Sequence, residues 1–178
     1  EQLRDIRNDV HIPLVFMGYL NPIMQFGFES FCRKCVECGI DGVIIPDLPF
    51  KDYEETYKPI ADRYDIRVIM LITPETSETR VREIDEHTDG FIYMVSSAAT
   101  TGAQKDFDAQ KQAYFKKIQD MHLRNPRMVG FGISNKQTFD AACANSSGAI
   151  IGSRFVTLLN EYEGDAEKAI TQLKEGLR

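Results

Sequence analysis

Two short stretches near the C-terminal end carry the strongest chemical suggestion in this sequence. Met128-Val129-Gly130-Phe131-Gly132-Ile133-Ser134 and Ala149-Ile150-Ile151-Gly152-Ser153 are apolar runs that end in glycine and serine just before a helical pattern. A glycine at such a turn lets a ligand come close to the backbone. The first amides of the helix that follows have no acceptor within it. Two such ends in tandem make an anion pocket of main-chain N–H groups. Charge-assisted hydrogen bonds of this kind contribute about 1.5–3 kcal/mol each, and a helix N-terminus adds roughly 0.3–1 kcal/mol. A few donors therefore suffice for a phosphate without lysine or arginine. Gly102, in Thr100-Thr101-Gly102-Ala103, is expected to close over the same point.

The other candidates are poorer in reactive groups. Gly18-Tyr19-Leu20-Asn21-Pro22, Pro46-Asp47-Leu48-Pro49, Thr73-Pro74 and the segment from Ser96 to Gly102 each follow an apolar run. They hold one carboxylate, Asp47, which reads as a loop acid capping a helix. Cys32, Cys35 and Cys38 have the C-x-x-C-x-x-C spacing of a metal or iron–sulfur site. No fourth ligand or Cys-Pro follows nearby, Cys143 lying far away in the sequence, and the three lie in a helical pattern with Phe28, Phe31, Val36 and Ile40. There cysteine acts as a small buried hydrophobe, which suits a reducing cytoplasm. No metal is expected.

The elements that position these residues repeat along the chain. Apolar runs at Ile12–Met17, Gly42–Ile45, Arg67–Ile72, Phe91–Val95, Met128–Phe131 and Ala149–Ile151 alternate with helical periods. Those periods are Phe28–Cys38, Tyr53–Tyr64, Glu78–Glu86, Gln110–His122, Lys136–Ala144, Phe155–Tyr162 and Ala166–Leu177. Near-continuous apolarity marks strands covered on both faces. Six βα units in succession predict a parallel α/β sheet, either an open doubly wound sheet or a (β/α)₈ TIM barrel. The tandem glycine-ended strands resemble the seventh and eighth of a barrel, where phosphate sites occur. On that numbering the chain carries strands three to eight, and its charged opening, EQLRDIRNDV, is the tail of the second helix. Residues 1–178 are then a single incomplete TIM-barrel domain. Its two edge strands, Ile12–Met17 and Ala149–Ile151, are expected to promote self-association.

Composition excludes several classes. A chain of 178 residues with 43% hydrophobic and 27% charged residues is neither disordered nor fibrous. A net charge of −6, from 21 basic and 27 acidic residues without like-charge runs, argues against nucleic-acid and anionic-membrane surfaces. No apolar stretch reaches the ~18 residues of a membrane span. A flavodoxin-like nucleotide binder would need a glycine-rich loop after the first strand, and none follows it.

Pro13 through Pro22, Gly39 through Pro49, Gly90 through Ser96, Thr101-Gly102, Gly130 through Ser134 and Gly152-Ser153 together resemble the tryptophan synthase alpha subunit family. The resemblance implies a (β/α)₈ barrel and a lyase. The family cleaves indole-3-glycerol phosphate reversibly to indole and glyceraldehyde 3-phosphate in tryptophan biosynthesis. It also implies a beta-subunit partner that carries pyridoxal phosphate, no cofactor in the alpha subunit itself, and a cytoplasmic location. Position by position, Gly102, Gly132, Gly152 and Ser153 match phosphate ligands, Tyr19 and Phe131 match substrate contacts, and Tyr93 and Thr101 match supporting groups. Asn21, Pro22 and Pro49 fall in loops resembling the beta-subunit contact face. The family's catalytic Glu and Asp, with a PFSDP-like motif, have no counterpart in these residues. The expectation is a polypeptide that is inactive alone, with a non-catalytic phosphate-binding or subunit-interaction module as the alternative.

Overall fold

The computed structural model describes residues 2–96, 104–130 and 132–178. The chain falls into two compact units, residues 1–71 with 79–92, and residues 72–78 with 93–178.

In the first unit, β1 (Val15–Met17), β2 (Gly42–Ile44) and β3 (Arg67–Ile69) form a parallel sheet in that order. Its register aligns Val15 with Gly42 and Gly42 with Arg67. All three residues of β2 are buried, as its uninterrupted apolar run requires. The helices of this unit are α1 (Leu20–Phe26), α2 (Phe28–Glu37), α3 (Phe50–Asp52), α4 (Lys58–Arg63) and α5 (Glu78–His87). A π-helical turn, Tyr53–Tyr57, joins α3 to α4.

Cys32 and Cys35 are 0% and 1% exposed on the inner face of α2, so they pack as core side chains. Burial pushes the Cys32 thiol up to about 11 and the Cys35 thiol up to about 12. Neither supplies a thiolate near neutral pH. Near the start of the chain, Ile6–Asn8 form a 3-10 turn. Arg7 anchors that turn by donating to the carbonyls of Gly39, Val10 and Ile12, and it pairs with Asp41. A Cβ at Gly39 would stand 2.6 Å from Arg7 Cγ, so the guanidinium stem occupies the space that a side chain would need.

The second sheet has the order β4 (Leu71–Ile72), β5 (Ile92–Val95), β6 (Arg127–Gly130), β7 (Gly148–Ala149). The apolar run 67–72 is therefore divided at Met70, β3 belonging to the first sheet and β4 to the second. Helices α6 (Gln104–Asp120), α7 (Lys136–Cys143), α8 (Ser153–Glu161) and α9 (Ala166–Glu175) complete this unit. Among the described residues no helix is long and apolar enough to cross a membrane.

Candidate functional site

The second unit places both glycine-ended strands side by side. β6 and β7 run parallel, with Met128 opposite Gly148 and Val129 opposite Ala149. The Ile150 amide extends the ladder by donating to the Val129 carbonyl at 2.7 Å. Paired strands lie about 4.8 Å apart, so the turns that leave them open from the same end.

The two turns present their amides differently. After β7, Gly152 is the residue before α8, and no side chain caps that helix. A Cβ at Gly152 would meet nothing within 4 Å. Among the described residues no side chain takes the first-turn amides of α8, which carry the positive end of the helix dipole. After β6, Gly132 has φ +79°, the left-handed region, and a Cβ there would also meet nothing within 4 Å. The next amides are committed, because Thr138 Oγ1 accepts from the N–H groups of Ser134 and Asn135 at 3.1 and 3.2 Å. Asn135 Oδ1 accepts in turn from the Thr138 amide at 2.9 Å, which closes a capping box on α7. The sequence reading expected free amides after both strands. The signal for the difference, an Asn followed three residues later by Thr, was present and not used.

Tyr93, on β5, is 5% exposed, and burial raises its phenol above the usual value. Its ring crosses the β6 backbone so closely that a Cβ at Gly130 would stand 2.1 Å from the phenol oxygen. The Ser96 amide donates to the Gly130 carbonyl at 3.2 Å beside it. Gly130 is therefore the seat of Tyr93, a role that the sequence reading missed. Thr101, Gly102 and Phe131 lie outside the described residues.

Tyr19 belongs to the first unit and is 69% exposed directly after β1. The stretch 18–22, expected to be a loop, turns helical at Leu20. Pro22 fits there because a residue in the first helical turn has no intrahelical acceptor to lose. Asp47 Oδ1 accepts from the Leu20 amide at 2.8 Å, so this carboxylate does cap a helix, from the loop after the neighbouring strand. Asn21 and Pro22 lie in the first turn of α1, and Pro49 is the residue before α3.

Parallel strands alternating with helices, with glycine turns at strand C-terminal ends, define an α/β chain, and its structural neighbours place it in the (β/α)₈ TIM-barrel class. The tryptophan synthase A-subunit from Pyrococcus furiosus is similar with a TM-score of 0.84 at 28% identity, over 98% of this chain and 70% of that one. The tryptophan synthase subunit alpha from Campylobacter jejuni gives 0.80 at 31% identity, over 96% and 67%. The chain belongs to the tryptophan synthase alpha chain family, whose profile matches residues 1–178. The tryptophan synthase alpha chain of Bacteroides fragilis is 80% identical over 174 residues, 98% of this chain and 66% of the relative. That of Bacteroides thetaiotaomicron is 79% identical over 178 residues, 100% of this chain and 69% of the relative. The chain thus spans about two thirds of the length of these relatives.

Proposed function

We propose that this chain is the phosphate-holding portion of a tryptophan synthase alpha subunit, a carbon–carbon lyase that cleaves indole-3-glycerol phosphate reversibly to indole and glyceraldehyde 3-phosphate. The observation that carries the reading is the pair β6 and β7, with Gly132 and Gly152 open above their ends and α8 uncapped. A phosphate ester seated there takes hydrogen bonds from Gly152, Ser153 and the amides that follow, and the rest of the substrate extends from that fixed point. The family's motif pattern supports Gly102 as a further phosphate ligand and Phe131 and Tyr19 as substrate-binding residues. Tyr93 and Thr101 support the reacting groups. Family membership supports a beta-subunit partner that carries the pyridoxal phosphate, with no cofactor in this subunit, and tryptophan biosynthesis in the cytoplasm as the setting.

Cleaving the carbon–carbon bond requires a proton delivered to the indole ring and another removed from the side chain, which is the work of paired carboxylates of tuned pKa. The one carboxylate in the strand-end segments of the sequence, Asp47, already accepts the Leu20 amide. These 178 residues alone therefore bind the ester without turning it over.

Two measurements test the reading. Calorimetric titration with glycerol phosphate should show binding by this chain. Gly152→Asp should weaken it at least ~tenfold, because a carboxylate then competes for the same amides. The melting temperature should hold, since Gly152 has φ −110° and open space for a side chain. Unchanged affinity in Gly152→Asp sinks the phosphate assignment, and lyase turnover by the 178-residue chain sinks the claim that it only binds.

A further inference from the structure

The first sheet ends on a strand whose outer edge is bare. β1 is terminal in that sheet, with β2 as its neighbour. The Leu14 carbonyl accepts from the Asp41 amide at 2.9 Å, and the Gly18 amide donates to the Ile44 carbonyl at 3.1 Å. Backbone groups alternate sides along a strand, so residues 14, 16 and 18 face β2. The N–H and C=O groups of Val15 and Met17 therefore point outward, with no strand beyond them among the described residues.

Exposed edges are usually blunted by charge, proline, bulges or a covering element. Residues 12–21 hold no charged side chain. Pro13 removes the outward N–H two residues before Val15, which shortens the edge to Val15 and Met17 without closing it. Those two side chains share one face and are 38% and 55% exposed, and Ile12 and Tyr19 at the ends of the strip are each 69% exposed. The edge strand of the second unit offers less. β7 is two residues long, and its Gly148 carbonyl already accepts from the Ser146 hydroxyl at 3.0 Å.

We propose that β1 pairs with β1 of a second copy of this chain, antiparallel about a two-fold axis at Phe16. The strip is self-complementary and uncharged, so no like charges meet across the axis. Val15 lies opposite Met17 of the second copy and Met17 opposite its Val15, each pair exchanging two N–H···O bonds. A shift by two residues would instead bring up Pro13, which has no N–H, or Tyr19, where the chain turns into α1. In the proposed register the Val15 and Met17 side chains of both copies form one apolar stripe. So short a strip buries less than the ~1,200 Å² at the low end of stable interfaces, which sets the dissociation constant at about 10–100 µM. Each copy carries a net charge of −6, so the copies repel at long range and salt strengthens the pairing. This contact lies wholly within the first unit and does not depend on the phosphate site.

Sedimentation of the full 178-residue chain from about 5 to about 500 µM should show a monomer–dimer equilibrium that moves toward dimer as salt rises. Met17→Lys should raise the dissociation constant at least ~tenfold, because two like charges then enter the strip. Ile170→Lys, at an exposed position on α9 of the second unit, should leave it unchanged. The register is read by cross-linking with diamide in a Cys38→Ser/Cys143→Ser chain, which lacks the two partly exposed thiols. Val15→Cys and Met17→Cys chains should cross-link when mixed, since the two positions stand about 5.5 Å apart across the axis. Each alone should not, since like positions stand roughly 8–9 Å apart, beyond disulfide reach. The cross-link reads the contact directly and decides the matter even where Met17→Lys unfolds the chain. A wild-type chain that stays monomeric throughout overturns the proposal and leaves the edge to a strand of another polypeptide. An unchanged constant in Met17→Lys, an equal loss in Ile170→Lys, or equal cross-linking of single variants and mixture overturns it as well.

Discussion

The contact between Tyr93 and Gly130 makes a sharp mechanical prediction. Adding one methyl group at position 130, as Gly130→Ala, places a carbon 2.1 Å from the Tyr93 oxygen and 2.3 Å from the ring carbon that bears it, where ordinary contact starts at 3.4 Å. The ring or the β6 backbone must shift by roughly 1.3 Å to restore contact distance, the difference of those two figures. Neither side gives easily, because Met94 and Val129 next to them are 0% exposed. Overpacking of a closed core costs about 1–3 kcal/mol, occasionally more, and this site belongs at the upper end. Tyr93→Leu removes the phenol and relieves the overlap. Urea unfolding of wild type, both single variants and the double variant measures the coupling. The double variant should be at least ~1 kcal/mol more stable than the sum of the single losses predicts. A Gly130→Ala chain within ~0.5 kcal/mol of wild type, or simple additivity in the double variant, refutes the argument.

Two further outcomes follow from electrostatics and burial. The Asp41 carboxyl is held below its usual value by the Leu14 amide and then by Arg7. A carboxylate with a lowered folded-state pKa contributes stability above its unfolded value of about 3.9, and that contribution fades as pH falls through the folded value. Asp41→Asn should therefore flatten the acid limb of a stability-versus-pH curve below about pH 4 and change its shape little near neutrality. An identical acid limb in wild type and variant would refute this. In the native protein, a thiol-reactive disulfide should modify Cys38 and Cys143, which are partly exposed, and spare Cys32 and Cys35 until denaturant is added. Equal rates at all four would contradict the packing of α2.

Much of the architecture was legible because parallel α/β sheets write their strands as apolar runs: β2 and β5 stand within the runs that marked them, and β6 begins one residue ahead of its own. The cysteine spacing was legible too, since Cys32 and Cys35 follow the same helical period as Phe28, and all three are buried. Helix α1 was not, because Pro22 and Asn21 are turn residues by local preference and the acid that caps the helix lies 27 positions away. Nor was the unequal state of the two glycine turns. Gly132-Ile133-Ser134 and Gly152-Ser153 look alike on the page, yet Thr138 takes the amides of Ser134 and Asn135 while α8 keeps its own uncapped.

Residue types and their order were enough to determine an alternating α/β chain and the glycine turns that follow two of its strands. Those features depend on local hydrophobic period and on backbone freedom at single positions, and both are written directly in the residues. Tertiary structure alone decided that Gly130 seats the Tyr93 ring, that Arg7 fills the space over Gly39, and that Asp47 reaches across to hold the start of α1. Each of these joins residues more than 25 positions apart, and no periodicity or propensity reports such a meeting until the sheets have formed.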